Sequence, residues 1–216
     1  MNVCASSASP EPEVTTQGGS FFMKIRQQKQ IKAFLAQEFG SGRGCELFER
    51  QSEKLVRMIS DTKGKSGNQM KTLVQTILPR IALFKALSEG GFSEDDAYTH
   101  TRKYMNLKVA AQKHSFTARM EAVPGFFAIY RRVFLKIMRT SDLWESRQKY
   151  GDDFFAADIT KCLWRTACIE NGCPDLCRLF CDVDDITYGG LKKMGFRRTK
   201  TLGYGGDCCD FHFFRK

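Results

Sequence analysis

With 216 residues, 42% of them hydrophobic and 18 of them phenylalanine, the chain is sized for one domain, or one domain with a small appendage. It can fill a real core, which excludes disorder for most of its length. The formal net charge of +10 is spread along the sequence, which favours small anions such as carboxylates as partners and argues against nucleic acid, for which no basic patch with interleaved aromatics is found. No run approaches the ~20 apolar residues of a membrane span, and nine cysteines without a secretory signal place the chain in a reducing cytoplasm as thiols, metal ligands or redox pairs.

Residues 1–22 read as a disordered tail, with Met23 as a candidate start, and residues 23–216 as a single α+β domain. Within it, 23–150 is expected to be helical and 151–216 to mix helices and strands. The first helix, "FFMKIRQQKQIKAFLAQEFG", stops at Gly40. The second, "CELFERQSEKLVRMISDTKG", places Leu47, Phe48, Leu55, Met58 and Ile59 on one side. "NQMKTLVQTILPRIALFKALSEGG" is long and apolar, and Pro79 is expected to kink or divide it. Ser93 is a good N-cap for the next helix, whose first-turn acids suit the helix dipole. "PGFFAIYRRVFLKIMRT" follows, starting at Pro124. It is expected to pack as an amphipathic helix, with Arg131, Arg132 and Lys136 on its outer side.

Around Asp152 the composition changes. "DDFFAADITKCLW" has the β-branched and aromatic content of a strand. A short helix, a turn at Asn171–Gly172 and a second helix from Pro174 come next. "GFRRTKTLG" and "CCDFHFFRK" then read as strands joined by the glycine-rich "GYGG". The expected architecture is α+β: a helical N-terminal part packed on a small antiparallel sheet formed mainly by the C-terminal third.

Some motifs are discarded on spacing. "GKS" at Gly64–Ser66 lacks the upstream glycine of a phosphate-binding loop, because Ile59 stands there. Cys173, Cys177 and Cys181 are spaced C-x3-C-x3-C, and no C-x2-C pair exists, so neither a radical-chemistry iron–sulfur loop nor a zinc ribbon is indicated. His100 and His114 have no acidic or thiol partner in sequence and read as ordinary surface or core histidines.

The C-terminal third carries the chemistry. Helical spacing places Cys177, Cys181, Asp184 or Asp185, and Tyr188 along one face. Free cysteines are small core fillers by default, and that reading suits Cys162, Cys168, Cys173 and Cys177. Cys181 differs because Asp182 and Asp184 follow it, and a carboxylate is costly to bury without a partner. On the terminal strand, Cys208, Asp210, His212 and Phe214 share one face and Cys209, Phe211 and Phe213 the other. Asp210 beside His212 suits a general base with its orienter, or a metal pair. The N–H groups of "GYGGD" suit an anion nest, or simply a hairpin turn.

"DITKCLW", "CPDLCRLFCDVDD" and "FRRTKTLGYGGDCCDFHF" together resemble the L-2-amino-thiazoline-4-carboxylic acid hydrolase family, most strongly over residues 153–216. The family pattern falls on Phe180, Cys181 and Asp184; on Arg198, Thr201 and Leu202; on Gly205 and Gly206; and on Cys209, Asp210 and Phe211. The resemblance implies a hydrolase that opens a small cyclic isothiourea to a carbamoyl-cysteine. It gives Cys209 or Cys181 the role of nucleophile. Asp184 and Asp210 would pair with the substrate nitrogens, and His212 would shuttle the proton. Arg198 would bind the carboxylate, with Thr201, Gly205 and Gly206 completing the substrate pocket. The implied partner is a small anionic molecule rather than nucleic acid or membrane. No cofactor is required, and a divalent metal is compatible. The alternative reading is a non-catalytic metal- or redox-sensing protein built on Cys181, Cys208, Cys209 and His212.

Overall fold

The computed structural model describes residues 25–216; the expected tail and Met23 lie outside the described residues. The chain divides into two compact units, Met1–Tyr104 and Met105–Lys216. The fold is α+β, and the sheet is formed by the C-terminal part.

The described part of the first unit is helical. α1 (Arg26–Phe39) ends where Gly40 takes φ 79°, and α2 (Ser41–Asp61) follows directly. A capping box at Ser66 opens α3 (Gly67–Thr72), so "GKS" is the loop and cap that its spacing suggests. Pro79 does not end the helix. A π-helical turn, Leu73–Ile77, precedes it, and α4 (Leu78–Glu89) carries it in the first turn. Proline has no N–H to give the carbonyl four residues back, and the Gln75 carbonyl accepts instead from the Gln27 side-chain amide. Ser93 caps α5 (Glu94–Met105) by accepting from the Asp96 N–H at 3.1 Å. His100 has an acidic partner that the sequence did not reveal, Glu38, at 3.1 Å.

The second unit is built around a four-stranded antiparallel sheet of order β1-β2-β4-β3. A π-helical turn, Asn106–Ala110, leads into α6 (Ala111–Met120). α7 (Phe126–Thr140) starts after Gly125, whose φ of 72° breaks the chain direction, and thus two residues later than Pro124 suggested. β1 (Trp144–Tyr150) and β2 (Phe154–Cys162) form a hairpin. β1 has no apolar alternation, because it is an edge strand paired on one side only. α8 (Leu163–Glu170), a 3-10 turn and α9 (Cys177–Tyr188) follow. β3 (Met194–Arg197) and β4 (Cys209–Arg215) complete the sheet.

One face of the sheet is covered. Phe155, Ala157 and Ile159 of β2 and Cys209, Phe211 and Phe213 of β4 pack with Phe126, Phe127, Leu135 and Met138 of α7 in a single core. The Phe155 and Phe213 rings stack at 4.6 Å between centroids. α7 is therefore the amphipathic helix that its pattern suggested. At the other edge, buried Glu121 accepts the N–H groups of Lys192, Lys193 and Met194 at 2.7–3.1 Å. That carboxylate ties the end of α6 to the start of β3. No described helix is long and apolar enough to cross a membrane.

Candidate active site

The site grows from α9 and the segment between β3 and β4. Apolar residues at helical spacing bury Leu179, Phe180 and Val183, and the same period brings Cys177 and Cys181 to the buried side. β3 stops at Arg197 rather than continuing to Leu202. The reason is local: the Asp210 carboxylate accepts from the Thr199 N–H (3.0 Å), the Thr199 hydroxyl (2.5 Å) and the Lys200 N–H (2.8 Å). These bonds turn the chain off the sheet and across α9. There Thr201 caps a 3-10 turn, Leu202–Tyr204, accepting the Tyr204 N–H at 3.2 Å.

The turn closes over Cys181. Gly203 sits so near the thiol that a Cβ on it would meet Cys181 Sγ at 2.8 Å. Cys181 receives hydrogen bonds from the thiols of Cys177 and Cys209, the Thr201 hydroxyl and the Gly203 N–H. Together they overcome burial and hold the thiol well below its ordinary range. Cys209 is pushed the other way, first by the bond it gives Cys181 and then by burial, and it accepts the Leu202 N–H at 3.2 Å. The two neighbouring thiols are thus shifted in opposite directions. Cys168 is pushed up by its bonds to Cys173 and Cys177, and it stays a thiol. Burial pushes Cys162 up to about 11.

Asp184 feels the Cys181 charge, and Arg198 reaches the Cys181 backbone. Burial raises the Asp184 carboxyl to about 6; Lys113 and Arg198 pull it down, and the Cys181 and Asp185 charges push it further up. Only 4% of the Arg198 side chain is exposed. Nη2 donates to the Cys181 carbonyl at 3.2 Å and to the Asp185 carboxylate. Nη1 lies 4.0 Å from Asp184 Oδ2 and has no hydrogen-bond partner. A cleft of about 240 Å³ opens here between Asp182, Asp185, Arg198, Lys200, Thr201 and Tyr204.

A scan against family models matches residues 68–213 to the model described as L-2-amino-thiazoline-4-carboxylic acid hydrolase. The chain belongs to this family. No curated protein and no solved structure matches it. The match covers α9, β3 and the residues between β3 and β4.

Of the residues the sequence singled out, the structure brings together Cys181, Cys209, Asp184, Arg198 and Thr201. Asp210 and His212 lie on the opposite face of β4, where Asp210 spends its carboxylate on the Thr199–Lys200 backbone and His212 stacks on Phe154 at 5.7 Å. Cys208 lies just ahead of β4, which begins at Cys209. The four metal candidates Cys181, Cys208, Cys209 and His212 therefore do not converge. Among the described residues, no group of three or more His, Cys, Asp or Glu side chains is arranged to hold a metal ion. Gly205 and Gly206 do not offer a nest, because their N–H groups already bond the Leu202 and Thr201 carbonyls at 3.3 and 2.8 Å. Gly205 serves the turn through its φ of 85°.

Sequence reasoning missed two clamps on the turn. The Tyr204 hydroxyl donates to Asp182 Oδ1 at 2.9 Å, with the Arg178 guanidinium over its ring. Arg165 of α8 donates to the Leu202 carbonyl. Both are long-range contacts between ordinary surface residue types, and nothing in their spacing marks them. His114, also without a partner in sequence, lies with Nδ1 3.1 Å from the Thr187 carbonyl of α9.

Proposed function

We propose that the chain hydrolyses the ring of a small cyclic isothiourea carboxylate, of the type that gives the family its name, through a covalent intermediate on Cys181. The observation that carries this reading is the convergence of four hydrogen-bond donors on the Cys181 sulfur. A thiolate is the nucleophilic form of cysteine, and such donors maintain it near neutral pH.

The substrate's carboxylate pairs with Arg198, whose Nη1 is buried without a hydrogen-bond partner. Lys200 and Thr201 border the same cleft. Cys181 attacks the amidine carbon, and the bond from that carbon to the ring sulfur breaks. Asp184, raised to about 6, is protonated in part of the molecules near neutral pH and gives its proton to the departing sulfur. Water then adds to the same carbon, one of its protons passing to the imine nitrogen. Collapse expels Cys181 as thiolate and returns the remaining hydroxyl proton to Asp184. The product is a carbamoyl-cysteine, and enzyme and acid are regenerated. The Leu202–Tyr204 turn must lift to admit the substrate, because Gly203 lies on the sulfur in the closed form.

Acid-quenching the reaction with L-2-amino-thiazoline-4-carboxylate and mapping the peptides by mass spectrometry tests the assignment. The adduct is expected on Cys181 with the mass of one substrate molecule. An adduct on Cys209 or Cys208, with Cys181 unmodified, would overturn it.

A further inference from the structure

The face of the sheet turned away from the core carries a second set of unabsorbed groups. Register places its side chains in rows across the strands. Lys149 of β1 faces Ala156 of β2, Ala156 faces His212 of β4, and His212 faces Arg197 of β3. One row thus runs cation, methyl, imidazole, cation across all four strands, about 14 Å from end to end at the usual strand spacing. On one side lies an aromatic row, Phe154 facing Phe214 and Phe214 facing Gly195. The Phe214 ring covers Gly195 so closely that a Cβ there would fall 2.2 Å from it. On the other side Arg147 of β1 faces Asp158, and Asp158 faces Asp210.

These rows border an open groove of about 400 Å³ whose lining includes Lys149, Phe154, Ala156, Asp158, Arg197 and His212. Its floor dips at Ala156, the one small side chain between long ones. The charges around the dip do not neutralise one another. Asp210 is committed to the backbone at Thr199 and Lys200. Asp158 and Lys149 take part in no ion pair among the described residues. Arg197 lies over the Phe214 ring and 3.5 Å from His212 Nε2, neither of which is an anion. His212, lowered by burial and by Arg197, stays a neutral ring stacked on Phe154 within 7° of parallel.

We infer that this groove is a second ligand site, for a small zwitterion carrying a flat apolar ring. Two cations reach in from the edge strands to hold a carboxylate over Ala156. Asp158, two residues along β2, receives the ligand's cationic nitrogen. The His212 and Phe154 rings supply a flat surface for its ring. Neither cation alone is special, since exposed charges are usually just solvated. What marks the groove is the coincidence of a concavity, like charges approaching from opposite edges, an acid that faces Arg147 in register without closing an ion pair, and a ring platform. The groove meets the cleft beside α9 at Arg198 and Thr199, which border both, but the inference does not rest on the hydrolase reading, as Lys149, Phe154, Asp158, Arg197 and His212 have no part in that chemistry.

The test uses three probes, L-phenylalanine, benzoate and phenethylamine, titrated separately while the His212 ring signal is followed by NMR. L-Phenylalanine is expected to shift the signal saturably and to bind about tenfold more tightly than either half-molecule, as one charge-assisted hydrogen bond of about 1.5 kcal/mol implies. Arg197→Ala and Lys149→Ala should each weaken it by a similar factor, and Asp158→Asn should reduce it to the affinity of benzoate. Thermal melts of the variants, expected to match the parent, separate loss of binding from loss of fold. No saturable shift with L-phenylalanine would overturn the inference. So would a shift that survives Arg197→Ala with Lys149→Ala, or benzoate binding as tightly as L-phenylalanine.

Discussion

Gly203→Ala puts a single methyl group at the point where the turn meets the thiol. An added Cβ would lie 2.8 Å from Cys181 Sγ, 3.1 Å from the Cys177 carbonyl oxygen and 3.2 Å from the Arg178 nitrogen. The last two are backbone atoms of α9 and cannot swing aside as a flexible side chain would. Relief therefore requires the whole 3-10 turn to move, against the Arg165 and Tyr204 clamps. Overpacking of this kind costs about 1–3 kcal/mol, which for a chain of this size is a fall of roughly 2–12 °C in Tm. Displacing the turn also withdraws the Gly203 N–H and the Thr201 hydroxyl from the sulfur. Circular-dichroism melts, combined with mass-spectrometric rates of iodoacetamide alkylation at each cysteine, read both effects. The expected variant melts lower and is alkylated faster at Cys181 at neutral pH than the parent, because the lid no longer seats. A variant that melts with the parent and alkylates at the parental rate would refute the close contact on which the site is built.

Asp184 and Asp210 have opposite linkage to pH, and each gives a prediction. The Asp184 carboxyl is raised from 3.8 to about 6 by burial, so the folded state holds its proton more tightly than the unfolded state. Its ionisation therefore costs stability progressively between those values. Asp184→Asn is expected to be at least as stable as the parent at pH 8 by urea unfolding while losing most turnover; a variant less stable at pH 8 would contradict the burial account. For Asp210, burial works to raise the carboxyl, but the Thr199 hydroxyl and the Thr199 and Lys200 N–H groups win and lower it. Its contribution is present above the unfolded value of 3.8 and is lost as pH falls through the lower folded value. Asp210→Asn should cost about 1–3 kcal/mol at pH 7 and much less at pH 3. Amide exchange at Thr199 and Lys200 should quicken in the variant, and unchanged protection there would count against the anchoring role.

The helices and the two inner strands could be read from sequence because their signals are local: periodicity, Gly40, Ser93 and the apolar alternation of β4. β1 could not, since an edge strand that buries little needs no pattern. The course of residues 198–204 was missed for a related reason. "FRRTKTLG" has a strand's composition, and only the carboxylate of Asp210, ten residues on, diverts it. Helical spacing put Cys181 on one face with Cys177 and with Asp184 or Asp185, and in α9 Cys177 and Cys181 are both buried. Strand alternation had already placed Asp210 and His212 on the face opposite Cys209. Favouring Cys181 over Cys209 required the packing of the Leu202–Tyr204 turn onto the Cys181 sulfur, which spacing does not contain.

The most direct measurement is turnover of L-2-amino-thiazoline-4-carboxylate by reduced parent, Cys181→Ser and Cys209→Ser, with product detected by mass spectrometry as substrate plus one water. The account predicts enzyme-dependent product from the parent, none above background from Cys181→Ser, and reduced but measurable product from Cys209→Ser, whose hydroxyl still donates to the thiolate. Full turnover by Cys181→Ser, or no product from the parent, would contradict it.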